Sequence, residues 1–325
     1  MKFESGSENI NRMSKNISAI KIVAILSVVT AHVDVKVGAG LLIGALKYFY
    51  ATFGSFGVGL FFILAGEGFL RQGFNFAERC QKIKNYGAPW IISATVIYIY
   101  LYLRKGALPF SYFEYVIGNG SYLYFLSILS IFLLGGSLLH IRFARILLLI
   151  ISSIYMILGV KIMPHGVGEH LNMLLWIPYF IFGLIVAKRE KVFDIVLSPE
   201  FSIIASTAVL NVFLQEIGAI TPSRLNYQNP NLVFFVCCLY IFLNNITLMP
   251  SFDVVNMIGR NTLFIYLWHM PFIGIINHLA NNFFICIHFI SPILVLIFFF
   301  LAICFIMNVG MSAKLANLIG IVKVH

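Results

Sequence analysis

The chain has 325 residues, of which 60% are hydrophobic and only 10% charged, against roughly 25% charged in an ordinary soluble domain. That composition excludes a water-soluble globule, and the 32 Phe exclude disorder, because disordered chains are poor in aromatic and branched residues. The net charge of +10 is spread over the loops between apolar runs. With no basic soluble region to hold DNA or RNA, no nucleic-acid partner is expected. The five cysteines (Cys80, Cys237, Cys238, Cys286, Cys304) are odd in number, lack CxxC spacing and lie mostly in apolar stretches. They read as reduced core residues rather than a disulfide framework.

A membrane-crossing helix needs about 20 mostly apolar residues. In chain order such windows fall at 17–36, 48–70, 86–103, 122–139, 143–162, 171–187, 201–220, 232–249, 257–277 and 290–310. The expected fold class is an all-α integral membrane protein, a polytopic bundle of about ten transmembrane helices. Residues 1–325 would form a single membrane-embedded domain with no appended soluble domain. A polar segment precedes the first apolar run and no small-residue cleavage site follows it, so no signal peptide is expected. Region 41–70 is long for one span and is interrupted by Gly54, Gly57 and Gly59, which leaves room for a short re-entrant or interfacial helix. Fifteen of the 22 Lys and Arg residues fall on the side shared by both termini and six on the other. Positive loops stay in the cytoplasm, so both termini are expected there.

Lys21 remains inside the first window. An ionisable side chain at mid-span costs roughly 2.5–3.5 kcal/mol on insertion scales and is a functional candidate by default. His32 lies eleven residues further along "SAIKIVAILSVVTAHVDV", which at 100° per residue returns to within about 20° of the same face, roughly 16 Å along the axis. Both side chains then look into one groove, Lys21 near the inner side and His32 near the outer. The plainer alternative is that Lys21 snorkels to the inner headgroups and His32 sits at the outer interface. Asp34 is too close in sequence to share the face of His32 on a regular helix.

Glu67 and Arg71 are spaced for an i, i+4 ion pair at the end of the second window. His269 in "YLWHMPF" precedes Pro271, which opens a helix locally, so His269 either lines a cavity or is a core histidine beside a kink. In "HGVGEH" the residues His165, Glu169 and His170 lack the helical His pair with an internal Glu of a zinc hydrolase, so no metal is expected.

Four elements together resemble a known family: the Lys21-x10-His32 pair, then "FGVGLFFILAGEGFL", then the basic loop "FAERCQKIKNYGAPW", and near the end "NTLFIYLWHMPF". In this order they resemble the membrane acyltransferase 3 family of bacterial O-acyltransferases, over essentially the whole chain. The family's Phe-Phe-x-x-Ser-Gly element reads Phe61-Phe62-Ile63-Leu64-Ala65-Gly66 here. Ala65 removes the hydroxyl and leaves a helix-packing role for Gly66. The family's Arg-x-x-Arg is matched by Arg79-x-x-Lys82, and its aromatic-Phe-Leu element by Tyr124-Phe125-Leu126.

The resemblance implies transfer of an acyl group, usually acetyl, from cytoplasmic acyl-CoA to a saccharide hydroxyl, in the inner membrane of a bacterium. Acetyl-CoA or another acyl-CoA would be the donor substrate. Arg79, Lys82 and Lys84 would form a basic mouth for its phosphates, which Lys21 extends inward. The alternative for this loop is ordinary positive-inside bias. His32 would be the catalytic base, neutral enough near its ordinary pKa to accept a proton, or else the carrier in an acyl-histidine relay. Glu67, His269, Tyr124, Glu216 and Arg224 are the cavity and acceptor-side candidates, the last two in the outer loop where a saccharide would approach. Expected partners are membrane lipids, acyl-CoA and the saccharide acceptor, with a second copy or glycan-assembly proteins as further ones. The competing reading is a transporter or flippase using Lys21 and His32 as a proton relay. It would call for internal repeats with broken helices, and the chain shows none.

Overall fold

A computed structural model of the chain describes residues 6–33, 41–71, 75–159, 167–188, 191–219, 227–245, 253–283, 285–309 and 312–322. Every element among them is helical: α1 (Gly6–Ala31), α2 (Leu41–Gly54), α3 (Gly57–Arg71), α4 (Phe76–Lys105), α5 (Tyr112–Ile117), α6 (Tyr124–Gly135), α7 (Arg142–Leu158), α8 (Ile177–Lys188), α9 (Val192–Val196), α10 (Pro199–Glu216), α11 (Pro230–Asn245), α12 (Asp253–Arg260), α13 (Thr262–Phe283), α14 (Ile285–Asn308) and α15 (Ala313–Leu318). Short 3-10 turns lie at Leu138–His140, Glu169–Leu171 and Met173–Leu175.

Each of the ten apolar windows contains helix. Among the described residues, three stretches are long and apolar enough to cross a membrane, namely Lys47–Arg71, α4 and Ser291–Asn308 of α14. Shorter apolar helices are Asn16–Ala31, Tyr124–Gly135, Ile177–Lys188, Pro230–Asn245 and Thr262–Ile275. The window ends differ from the helix ends for local reasons. The first helix stops at Ala31 rather than 36, because His32 N–H and Val33 N–H bond to the carbonyls of Val29 and Thr30 in a tightened final turn. The fourth begins ten residues before its window: Asn75 accepts from the Glu78 N–H while the Glu78 carboxylate accepts from the Asn75 N–H, a capping box. The expected break in 41–70 falls at Ser55–Phe56, between α2 and α3.

The described chain divides into two compact units, one of Met1–Gly57 and Tyr240–His325, the other of Val58–Leu239. In the first unit α1 is central and packs against α2, α12, α13 and α14. Its Ala24, Ile25, Val28 and Val29 are buried, and the Ser27 hydroxyl donates to the Phe53 carbonyl at 2.5 Å. Gly259 lets α12 approach α1 closely, since a Cβ there would sit 2.8 Å from the Ser18 Cβ. The α12–α13 junction is clamped by Asn261, whose side chain donates to the Met257 carbonyl at 2.8 Å and accepts from the Val322 N–H at 2.8 Å.

The second unit is built round an aromatic core. Phe62 of α3 is fully buried, with ring centroids of Phe125, Trp176 and Phe132 at 4.8, 5.2 and 5.6 Å. This core requires α3 and α8 to touch through their backbones. A Cβ at Gly66 would overlap the Phe180 carbonyl oxygen, and one at Gly183 would overlap that of Ile63. Carbonyls fixed in helices cannot move aside as a flexible side chain would. Gly66→Ala and Gly183→Ala should therefore each lower stability by about 1–3 kcal/mol, read as a lower unfolding midpoint in detergent. An unchanged midpoint would remove the packing role of this crossing.

Candidate active site

The first unit holds Lys21, His32 and His269. Lys21 is half-buried one turn beyond Ser18, where Gly259 brings α12 against α1. Arg260 follows Gly259, is exposed, and its guanidinium repels the Lys21 ammonium. This part of α1 is thus doubly cationic, a setting that favours an anion between the two groups.

His32 is half-buried, immediately past the end of α1. Its ring centroid lies 5.2 Å from that of His269, with the planes tilted by 45°. His269 is 0% exposed, and its Nδ1 lies 2.6 Å from the Tyr266 carbonyl oxygen. A carbonyl only accepts, so Nδ1 carries the hydrogen and the lone pair of the neutral ring is on Nε2. Pro271 lies inside α13, which continues through it. Lys21 lies beside Arg260 of α12, and the His32 ring lies beside His269 of α13. Asp34 lies outside the described residues.

The second unit holds the other described candidates. Glu67 is buried and paired with Arg71, whose Nη2 and Nε approach Oε1 at 2.8 and 2.9 Å. Arg79 is buried: its guanidinium lies 4.6 Å above the centre of the Phe69 ring and donates to the Ser137 hydroxyl at 3.1 Å. Lys82 is half-buried and Lys84 exposed. The loop thus offers one guanidinium locked by stacking and two lysines at increasing exposure.

Tyr124 is buried at the opposite end of α6 from Ser137 and stacks on His170 and Trp176 at 5.1 and 5.5 Å. His170 also meets Tyr227 edge-on at 5.5 Å, and Glu169 accepts from the Gln228 side chain at 2.5 Å. Glu169 and His170 are thus engaged with this aromatic cluster, while His165 lies outside the described residues. Glu216 is exposed at the end of α10. Arg224 lies outside the described residues.

Two loop histidines carry a pH dependence. Partial burial, then the positive charges of Arg79, Lys188 and Arg145, push the His140 pKa below its ordinary 6.5. His170 is exposed at one edge, yet partial desolvation of its ring beside Tyr124 and Tyr227 pushes its pKa the same way, against the pull of Glu169. Both therefore favour the neutral ring when folded, and the unfolded chain binds more protons below pH 6.5. Their contribution to stability is fully present above pH 6.5 and shrinks as the pH falls towards the folded-state values. The unfolding midpoint should drop between pH 7 and 5.5, with a shallower slope in the His140→Gln/His170→Gln variant; equal slopes would contradict this assignment.

Arg260 was not among the candidates read from the sequence, where it counted only as one of the 15 basic residues on the side of the termini. Its signal was its position directly before "NTLFIYLWHMPF", the element that carries His269. A family model described as "Acyltransferase domain", that of the acyltransferase 3 group, matches residues 14–309. That match includes Lys21, His32, Arg260 and His269. No curated protein and no solved structure matches the chain.

Proposed function

Because the chain belongs to the acyltransferase 3 family, we propose that it moves an acyl group, acetyl by preference, from acyl-CoA to a hydroxyl of a surface polysaccharide or lipid-linked saccharide. Family membership makes it a membrane acyltransferase; the donor, the acyl group and the acceptor are our reading. It works in the cytoplasmic membrane of a bacterium with both termini inside, the orientation that loop charge favours.

The observation that carries the reading is the ring contact between His32 and His269. In the reaction, the acceptor oxygen attacks the thioester carbonyl carbon while His32 removes the hydroxyl proton. The C–S bond breaks, the proton passes from imidazole to the departing thiolate, and an ester and CoA thiol result. His269, tied through Nδ1 to the Tyr266 carbonyl, stands beside His32 as a ring of fixed tautomer. Lys21 and Arg260 supply positive charge for the donor phosphates at the inner end.

The test is to incubate the protein in nanodiscs with acetyl-labelled acetyl-CoA, or with succinyl-CoA, and a panel of glycans. Label should appear on the glycan in an alkali-labile ester, with one CoA thiol released per ester formed. Thioester consumption independent of every acceptor, or none with any donor, would contradict the proposal.

A further inference from the structure

The second unit carries a basic cavity outside the candidate site described above. Three helix ends converge there: the start of α7, the end of α8 and the start of α10. The space between them is about 120 Å³, lined by Arg142, Arg145, Leu184, Ile185, Lys188 and Glu200. Pockets for drug-sized ligands run to roughly 300–1,000 Å³, so this one admits a single small group.

The charges are placed as though an anion belonged among them. Arg142 and Arg145 occupy the first turn of α7, which has no acidic residue and whose N-cap, Ile141, offers no capping side chain. Two cations at the positive end of a helix dipole are unfavourable unless negative charge sits beside them. Glu200 provides one carboxylate, 3.2 Å from Arg145 Nη2. Arg145 Nη1 is used by the carbonyls of Leu139 and His140 at 2.9 and 3.1 Å. Its Nε is buried and has no hydrogen-bond partner among the described residues, in a residue 6% exposed. A buried N–H without an acceptor loses the hydrogen bond it would make to water and gains nothing in return. Arg142 and Lys188 are exposed, with free reach to the cavity mouth.

The flanks of the cavity point to the source of the anion. Next to Arg142 in the chain, Ile141 and Phe143 are 55% and 74% exposed; between Lys188 and Glu200, Phe193 and Leu197 are 70% and 60% exposed. A soluble anion needs no such rim, whereas a headgroup brings acyl chains that cover it.

We propose that this cavity holds the phosphate of an anionic phospholipid, gripped by Arg142, Lys188 and the Arg145 Nε–H, with its acyl chains over Phe143 and Phe193. Basic pockets between helix ends are a recurring way of recognising such headgroups. The site fixes the ends of α7, α8 and α10 to the lipid and completes the electrostatics of α7.

The test uses the full chain in a neutral detergent and follows its unfolding midpoint as lipid is added. Dioleoylphosphatidylglycerol at a hundredfold excess over its Kd should raise the midpoint by about 5 °C, and dioleoylphosphatidylcholine should not. The Arg142→Gln/Lys188→Gln variant, altered at two exposed positions, should need about 25-fold more phosphatidylglycerol. A control, Arg104→Gln/Lys105→Gln, removes two exposed charges outside the cavity and should titrate as wild type. The proposal is overturned if the two lipids act alike, if the cavity variant titrates as wild type, or if the control weakens equally. It is also overturned if inorganic phosphate or CoA alone produces the same shift, which would make the occupant a soluble anion.

Discussion

His32→Ala should lower acyl transfer by about 10²–10⁴-fold, the range a positioned general base contributes, while expression and gel-filtration profile should stay those of wild type. The position explains both halves of the expectation. His32 lies just past the last turn of α1 and is only half-buried, so truncation opens no closed core cavity. Its ring nevertheless sits 5.2 Å from that of His269, and alanine removes the proposed base while leaving only the fully buried His269 ring beside it. The measurement is the release of CoA thiol with acceptor present. A folded variant with wild-type turnover would take His32 out of the chemistry.

The second large effect is on stability. Glu200→Ala should cost about 3 kcal/mol, because removing one partner leaves a buried charge without compensation. Arg145 would remain buried among Arg142, Lys188 and the start of α7, with its Nη2 stripped of its carboxylate. Replacing both charges, as Arg145→Met/Glu200→Leu, removes the stranded cation along with its partner. The double variant should therefore lose less than Glu200→Ala alone, as denaturant unfolding in phosphatidylglycerol-free detergent would show. Additive losses would mean that the pair is not coupled.

Much of the fold was legible because apolar windows and helices have the same cause. A segment without outside hydrogen-bond partners must satisfy its own backbone, and a helix does so. What the windows missed was polar: the start of α4 is written in the Asn75–Glu78 capping box, a signal of two residues that a hydropathy count averages away. The α3–α8 crossing was half visible, since Gly66 was legible as a packing glycine but its partner Gly183 was not.

The site divided in the same way. The Lys21–His32 spacing could be read from one helix, since both lie within 11 residues of each other. The His32–His269 contact could not, because the two rings come from opposite ends of the chain and only tertiary packing joins them. The family resemblance gave Arg79 a place in the phosphate mouth, and what sequence did not show is that the residue is buried against Phe69. Sequence shows that an Arg is near an interface and leaves open whether it extends into water or stacks on an aromatic ring.

The central claim is that His32 and His269 act as one unit in acyl transfer, and a double-mutant cycle on transfer rate tests it most directly. His32→Ala, His269→Gln and the double variant would be compared with wild type at saturating donor and acceptor. Residues that act together are strongly non-additive, so the double variant should be little slower than His32→Ala. If the two single losses instead multiply in the double variant, the histidines act independently and the pair is not the catalytic unit.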